Sequence, residues 1–363
     1  MKTGKHPQDK DAEARSNSEA DGDDLLTTPV KHYDGRSNSS TSDLIESFRG
    51  TAFQSRNLAR CLDVMLGMLQ DADRPTVFLA LAGAMVPGGL RKTVRDMIDM
   101  SMVDVLVSTG ANLYHDLHEA LGFRHYLAQG HVSDLELRRR LIDRIYDVYV
   151  SDEEFAQTDI YIKKFTDSLQ PRRYSTREFL HLLGRSLRDE DSILYTAAKK
   201  DVPVFCPAIA DSSIGVSLAW HTQRRVDEGL EPVVIDTIRD NLEILKVKVE
   251  AGKTAAIHIG GGVPKNFVQQ VTPMAEILDL KTPPHSYGVQ ITTDDPKWGG
   301  LSGCTFSESQ SWGKYTDKAR FATVYMDATI GLPLLFKACV EKKETWYPRE
   351  PLQIDWVKKS RSV

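Results

Sequence analysis

Thr254-Ala-Ala-Ile-His-Ile-Gly-Gly-Gly-Val-Pro-Lys265 decides the fold class. Its first six residues are a short apolar run of strand length. Three glycines end the run, and a helical pattern follows them. A glycine triplet at that place permits a tight strand-to-helix turn. It also permits close approach of the backbone to a dinucleotide. Residue types alone leave both readings open.

The same pattern recurs on either side. Thr76-Val-Phe-Leu-Ala-Leu81 is a second buried-strand run, leading to Gly83 and to Pro87-Gly-Gly89, which opens a helix through Met100. Val103-Asp-Val-Leu-Val107 is broken by Ser108-Thr-Gly-Ala-Asn112, and a helix follows over 113–121. Pro203-Val-Phe-Cys206, Val233-Val-Ile-Asp236, Tyr287-Gly-Val-Gln-Ile291 and Ala322-Thr-Val-Tyr-Met326 read as further strands. Helical patterns cover 176–187, 192–200, 237–250 and the stretch after Asp327-Ala-Thr329. Strand, glycine loop and helix in repetition predict a parallel, Rossmann-like α/β sheet with helices on both faces. The alternation runs to the C terminus, which predicts one large domain over 43–363. Residues 122–175, polar with interspersed aromatics, read as an excursion of helix and loop. No G-x-G-x-x-G occurs, so the common dinucleotide fingerprint is missing.

Residues 1–42 are rich in Ser, Asp, Gly and Lys and poor in large hydrophobes. Such a segment cannot bury enough surface to offset its ordering entropy, and disorder is expected there. The net charge of −5 gives no general attraction to nucleic acid or to an anionic membrane. The four cysteines are scattered without CxxC spacing, which fits a reducing compartment and argues against a disulfide framework. No apolar run reaches membrane-spanning length and no signal-peptide h-region opens the chain. A cytoplasmic protein is the expectation. His115-Asp-Leu-His118-Glu119 has two histidines three apart but no third clear ligand, so no metal site is expected.

Ser302-Gly-Cys-Thr-Phe-Ser-Glu-Ser-Gln-Ser-Trp-Gly-Lys314 carries the chemistry. It sets a carboxylate (Glu308), an indole (Trp312) and an amine (Lys314) close together. On a helix, Glu308 and Trp312 would share a face. Burial beside an apolar ring disfavours an ammonium, and a neutral lysine can attack an imine or carbonyl carbon. An exposed Lys after a packed Trp is the plain alternative.

This segment resembles the active-lysine segment of deoxyhypusine synthases, which ends in the same Ser-Trp-Gly-Lys with a Glu six residues before the Lys. The resemblance runs from about Thr76 to about Lys337. It implies an NAD-binding fold, a homotetramer with shared active sites, and Lys314 as the catalytic residue. It also implies Glu308, Trp312, Asn266 and Ser302 as substrate-binding residues. Cofactor contacts are implied for Thr109, Gly110, Asp211, Gly260, Gly261, Gly262, Thr293, Asp327 and Ala328. Asp211 and Asp327 also suit helix caps. Asn266 stands where the family has a polyamine-contacting His. His115, Ala84 and Pro87 replace polar residues of the well-known eukaryotic members. Val216 and Leu301 stand where the family has carboxylates that grip spermidine. Losing such carboxylates would leave a buried ammonium unpaired.

The function these readings imply is an NAD-dependent transfer of an alkylamine group between amines through a lysine imine. The substrate is a small amine other than the usual pair of spermidine and a protein lysine. The alternatives are a catalytically silent NAD- or amine-binding sensor or scaffold, and an ordinary NAD dehydrogenase.

Overall fold

In the computed structural model the described residues are 26–36, 39–130 and 132–356. The expected disorder of the N-terminal segment falls, for residues 1–25, outside them. Residues 26–36 are exposed and without regular structure, although the Lys31 N–H donates to the Gly50 carbonyl at 2.9 Å. The first helix is Thr41–Ser47, with the Ser40 hydroxyl accepting from the Asp43 N–H at its start.

Six parallel strands make the main sheet: β1 (Thr76–Leu81), β2 (Val105–Ser108), β3 (Val204–Phe205), β4 (Thr254–Ile259), β5 (His285–Thr292) and β6 (Tyr315–Tyr325). Their spatial order is β3-β2-β1-β4-β5-β6, every neighbouring pair being parallel. The chain therefore winds outward from β1 to one edge, then returns to β4 and winds to the other. This is the order of a doubly wound dinucleotide-binding sheet, and its switch point lies between β1 and β4.

The apolar runs form strands because both faces of the sheet are covered. All six residues of β1 are buried. Val77, Leu79 and Leu81 join a core cluster with Leu62, Met65 and Met68 of the helix Phe53–Gln70 and Leu332 and Leu335 of the helix Ala328–Glu341. Phe78 and Ala80 point the opposite way, into a cluster with Ile244, Leu245, Val268 and Val271. Those four come from the helices Thr237–Glu250 and Gly262–Ile277.

Two sequence-based expectations need correction. The run at 233–236 is a strand only over Val234–Ile235, and it pairs with Arg173–Tyr174 in a separate two-stranded sheet. Val234 is 42 % exposed while Ile235 packs against the edge of the core, so this strand lies outside the main sheet. The 122–175 excursion is also not simply helix and loop. It holds a three-stranded antiparallel sheet, Tyr126–Leu127, Ile142–Ile145 and Val148–Ser151, beside the helices Asp134–Arg139 and Asp152–Asp167. Among the described residues, no helix is long and apolar enough to cross a membrane.

Candidate active site

A cleft of about 350 Å³ lies at the carboxyl ends of β1, β4, β5 and β6, across the switch point. Gly83, Gly260, Thr293, Asp327 and Ala328 line it, together with Ser302. The glycine triplet is needed for two different reasons. Gly260 and Gly262 have φ of 68° and 56°, where side chains are strained. Gly261 instead meets the Ser302 loop: a Cβ there would stand 2.3 Å from the Ser302 Cα. The helix that follows begins without a side-chain cap, leaving first-turn N–H groups of the kind that donate to phosphate oxygens. The bare backbone, the uncapped helix start and the switch-point position fit a dinucleotide.

The remaining cofactor-site expectations lie further along the same sheet edge, outside the residues that line this cleft. Thr109 follows β2, and its hydroxyl donates to the Gly83 carbonyl at 2.8 Å. Gly110 packs against Ser212, whose Oγ would be 2.3 Å from an added Cβ. Asp211 is exposed beyond β3, and Ser212, not Asp211, caps the helix Ser213–Asp227. Asp327 does act as a cap: its carboxylate accepts the Thr329 N–H at 2.8 Å.

The lysine segment folds as a short capped helix. Thr305 starts it by accepting the Glu308 N–H at 3.1 Å. The helix spans Phe306–Ser311. Gly313, at φ 68°, ends it: its N–H donates to the Gln310 carbonyl and the Lys314 N–H to the Ser309 carbonyl. That pair of bonds is a Schellman closure, which explains the glycine between Trp312 and Lys314. Glu308 and Trp312 therefore do not share a helix face, since Trp312 is already the C-cap.

Lys314 immediately precedes β6. It is buried at 6 % exposure, with Nζ 5.6 Å from the centroid of the Trp312 ring. Burial lowers its pKa, and Cys304 and Glu308 partly oppose that shift. A second buried amine, Lys265, lies in the first turn of the helix Gly262–Ile277. Burial pushes its pKa down to about 8; Cys304 and Glu308 oppose the shift, and Lys314 adds to it. Glu308 is exposed and contributes through its charge. Asn266 is half-buried beside Lys265 and does not line the cleft. Val216 and Leu301 are 64 % and 43 % exposed, so they form no buried apolar wall within this chain.

Sequence reading did not single out Gln290, Cys304, His258 and Tyr315. Gln290 and His258 carried a legible signal, being the polar residues inside otherwise apolar runs. The buried Gln290 amide donates to the Gly260 and Ser302 carbonyls at 2.9 and 2.8 Å. His258 Nε2 lies 3.0 Å from the Tyr315 hydroxyl. Burial holds that imidazole well below the usual histidine range.

Comparisons with known proteins show the family and the fold. The family model described as deoxyhypusine synthase matches residues 43–339. The chain is 44% identical over 307 residues to the Methanosarcina mazei protein named "Probable deoxyhypusine synthase 2", covering 84% of this chain and 87% of that one. It is 40% identical over 344 residues to the "Deoxyhypusine synthase-like protein" of Coxiella burnetii, covering 93% and 96%. A crystal structure assigned to a deoxyhypusine synthase of Entamoeba histolytica shares the fold, with a TM-score of 0.59 at 18% identity, covering 85% of this chain and 96% of that one. With the match spanning the sheet, the glycine turn and the lysine segment alike, the chain belongs to the deoxyhypusine synthase family.

Proposed function

We propose that this protein is an NAD-dependent transferase that moves an alkylamine group between amines through an imine on Lys314. Family membership supports a transferase of this kind. The observation that carries the finer reading is the Lys314 amine, buried against Trp312, with its pKa lowered. An ammonium has no lone pair, so a desolvated amine is the form able to attack carbon. NAD bound along the Gly260–Gly262 turn, Thr293, Asp327 and Ala328 would take up and later return a hydride.

The protein's own groups then have distinct roles. Trp312 presents a ring face to a cationic amine, and Glu308 supplies a carboxylate near it. Lys314 adds to the carbon of the oxidised donor, the leaving amine departs, and a second amine displaces Lys314. Ser302, held by Gln290, closes the cleft at its β5 side. A homotetramer with sites between subunits belongs to the same reading.

The preferred donor is a small amine with fewer cationic groups in the pocket than spermidine, or a guanidinium. What supports this is the resemblance alone: Val216 and Leu301 stand where the family has carboxylates, while in this chain both are exposed and neither lines the cleft. Incubation with NAD and a panel of polyamines and guanidino-amines, each followed by product analysis, tests the reading. Transfer without net NADH is expected. NADH accumulation would indicate a dehydrogenase instead, and NAD binding without turnover of any amine would indicate a sensor.

A further inference from the structure

Lys314 is held by its backbone. Its N–H donates to the Ser309 carbonyl at 3.1 Å, and its carbonyl accepts the His285 N–H at 3.0 Å. Among the described residues its Nζ makes no hydrogen bond or ion pair. Where the amine points therefore depends on how firmly the loop 309–315 is seated. That loop is anchored from beneath at both ends. The Ser309 hydroxyl donates to Gln269 Oε1 at 3.2 Å. The Tyr315 hydroxyl lies 3.0 Å from His258 Nε2. Gln269 Nε2 is 3.4 Å from the same imidazole nitrogen and closes the bridge. All four residues are buried. The Tyr315 ring rests on bare backbone, since a Cβ at Gly288 would lie 2.9 Å from it.

We propose that His258 and Gln269 are positioning residues for Lys314, bridging the two ends of its loop onto the strand and the helix that flank the glycine turn. The inference rests on Lys314 being the reacting group. His258 lies on β4, just before Gly260, and Gln269 lies on the helix Gly262–Ile277. The bridge thus fixes the amine in the frame that also carries the glycine turn. His258 pairs in register with Gln290 of β5, and residues so paired share a face of the sheet. Gln290 does for the cleft wall what His258 does for the lysine loop. Its Oε1 accepts from the Lys265 amine at 3.0 Å, and its Nε2 donates to the Gly260 and Ser302 carbonyls. Apolar side chains would fill this space without a desolvation cost; what hydrogen bonds add is direction. An attacking atom must sit within about 3–3.5 Å of its target carbon, so a loop displaced by about 1 Å slows the step while leaving binding intact.

The test uses Tyr315→Phe, which removes only the hydroxyl, and His258→Leu, which removes the imidazole. Single-turnover incubation with NAD and saturating donor, quenched with borohydride, reads the rate of adduct formation on Lys314. Each variant is expected to lose about tenfold in rate, with NAD affinity and the half-saturating donor concentration within about twofold of wild type. The double variant should lose no more than the worse single one, because both act through one bond. A purely structural role would lower the melting temperature and leave the rate of the folded protein unchanged. That result, or additive losses in the double variant, would overturn the proposal. Should His258→Leu fail to fold by circular dichroism, the rate of Tyr315→Phe alone carries the test. Amide hydrogen exchange over 306–316 needs neither cofactor nor donor. It should quicken by about tenfold in Tyr315→Phe while β1 stays as protected as in wild type. If the wild-type protein traps no donor, the transferase reading falls and exchange alone decides. Faster exchange confined to 306–316 then sustains the bridge, and unchanged exchange overturns it.

Discussion

Gly261 and Ser302 are in backbone contact: an added Cβ at residue 261 would fall 2.3 Å from the Ser302 Cα and 2.8 Å from its Oγ. Gly261→Ala must therefore push the Ser302 loop away from the glycine turn. Overpacking of this kind costs about 1–3 kcal/mol. The Ser302 carbonyl would also move off the Gln290 amide it now accepts. We expect a lower melting temperature and at least a tenfold loss of NAD affinity by calorimetry. Unchanged NAD binding would place the dinucleotide elsewhere.

Lys314→Ala should separate chemistry from binding. The amine acts on the donor carbon and not on the dinucleotide. Transfer should fall by about a thousandfold or more, as for removal of a covalent nucleophile. NAD affinity should stay within about twofold. Parallel loss of both would mean that Lys314 organises the cleft and does not react.

Substrate charge gives a third prediction. Val216 and Leu301 are exposed in this chain, so Val216→Asp with Leu301→Asp should shift stability by no more than about 0.5 kcal/mol per site. If these positions exclude a triamine for want of carboxylates, spermidine binding should strengthen relative to the native donor. Competition calorimetry checks it. Tight spermidine binding and efficient aminobutyl transfer by the unmodified protein would contradict the argument.

The buried histidines of the helix Gly110–Ala120 set an acid limit on stability. Burial pushes His115 down to about 3 and His118 to about 4, and His125 adds to both shifts. The unfolded chain takes up these protons near pH 6.5, whereas the folded chain refuses them until far lower pH. Below about 6.5 the unfolded state thus binds more protons, so stability falls as pH drops toward 4. Each histidine contributes a slope of at most about 1.4 kcal/mol per pH unit. Asp240, raised to about 7 by burial, acts in the opposite direction, so the comparison must be with a variant. Urea midpoints of His115→Leu should fall less steeply than wild type between pH 6.5 and 4.5. Equal slopes would mean that His115 is not held neutral.

The parallel sheet was readable because β1 and β4 are uninterrupted apolar runs bounded by glycine. β6 was read too short. The register slips between His285 and Tyr287 of β5, so that Tyr287 pairs with Arg320, five residues after Tyr315. The polar Thr316-Asp-Lys-Ala319 stretch between them hides the strand's start. The Arg173–Tyr174 and Val234–Ile235 pair is two residues per strand, too short for any periodicity. At the site, residue types alone left the glycine turn and the lysine open to plain structural readings, and only the resemblance of their segments to a known family singled them out. The Lys265–Gln290–Ser302 connection was not, because it joins a helix, a strand and a loop through side-chain contacts that no local pattern encodes.

The most direct test of the Lys314 reading is borohydride reduction after incubation with NAD and the best donor of the amine panel, followed by peptide mass spectrometry. The reading predicts the donor's alkyl mass on Lys314, dependent on NAD and absent from Lys314→Ala. Failure to trap any adduct across the whole polyamine and guanidino-amine panel, or an adduct carried by a different lysine, would contradict it.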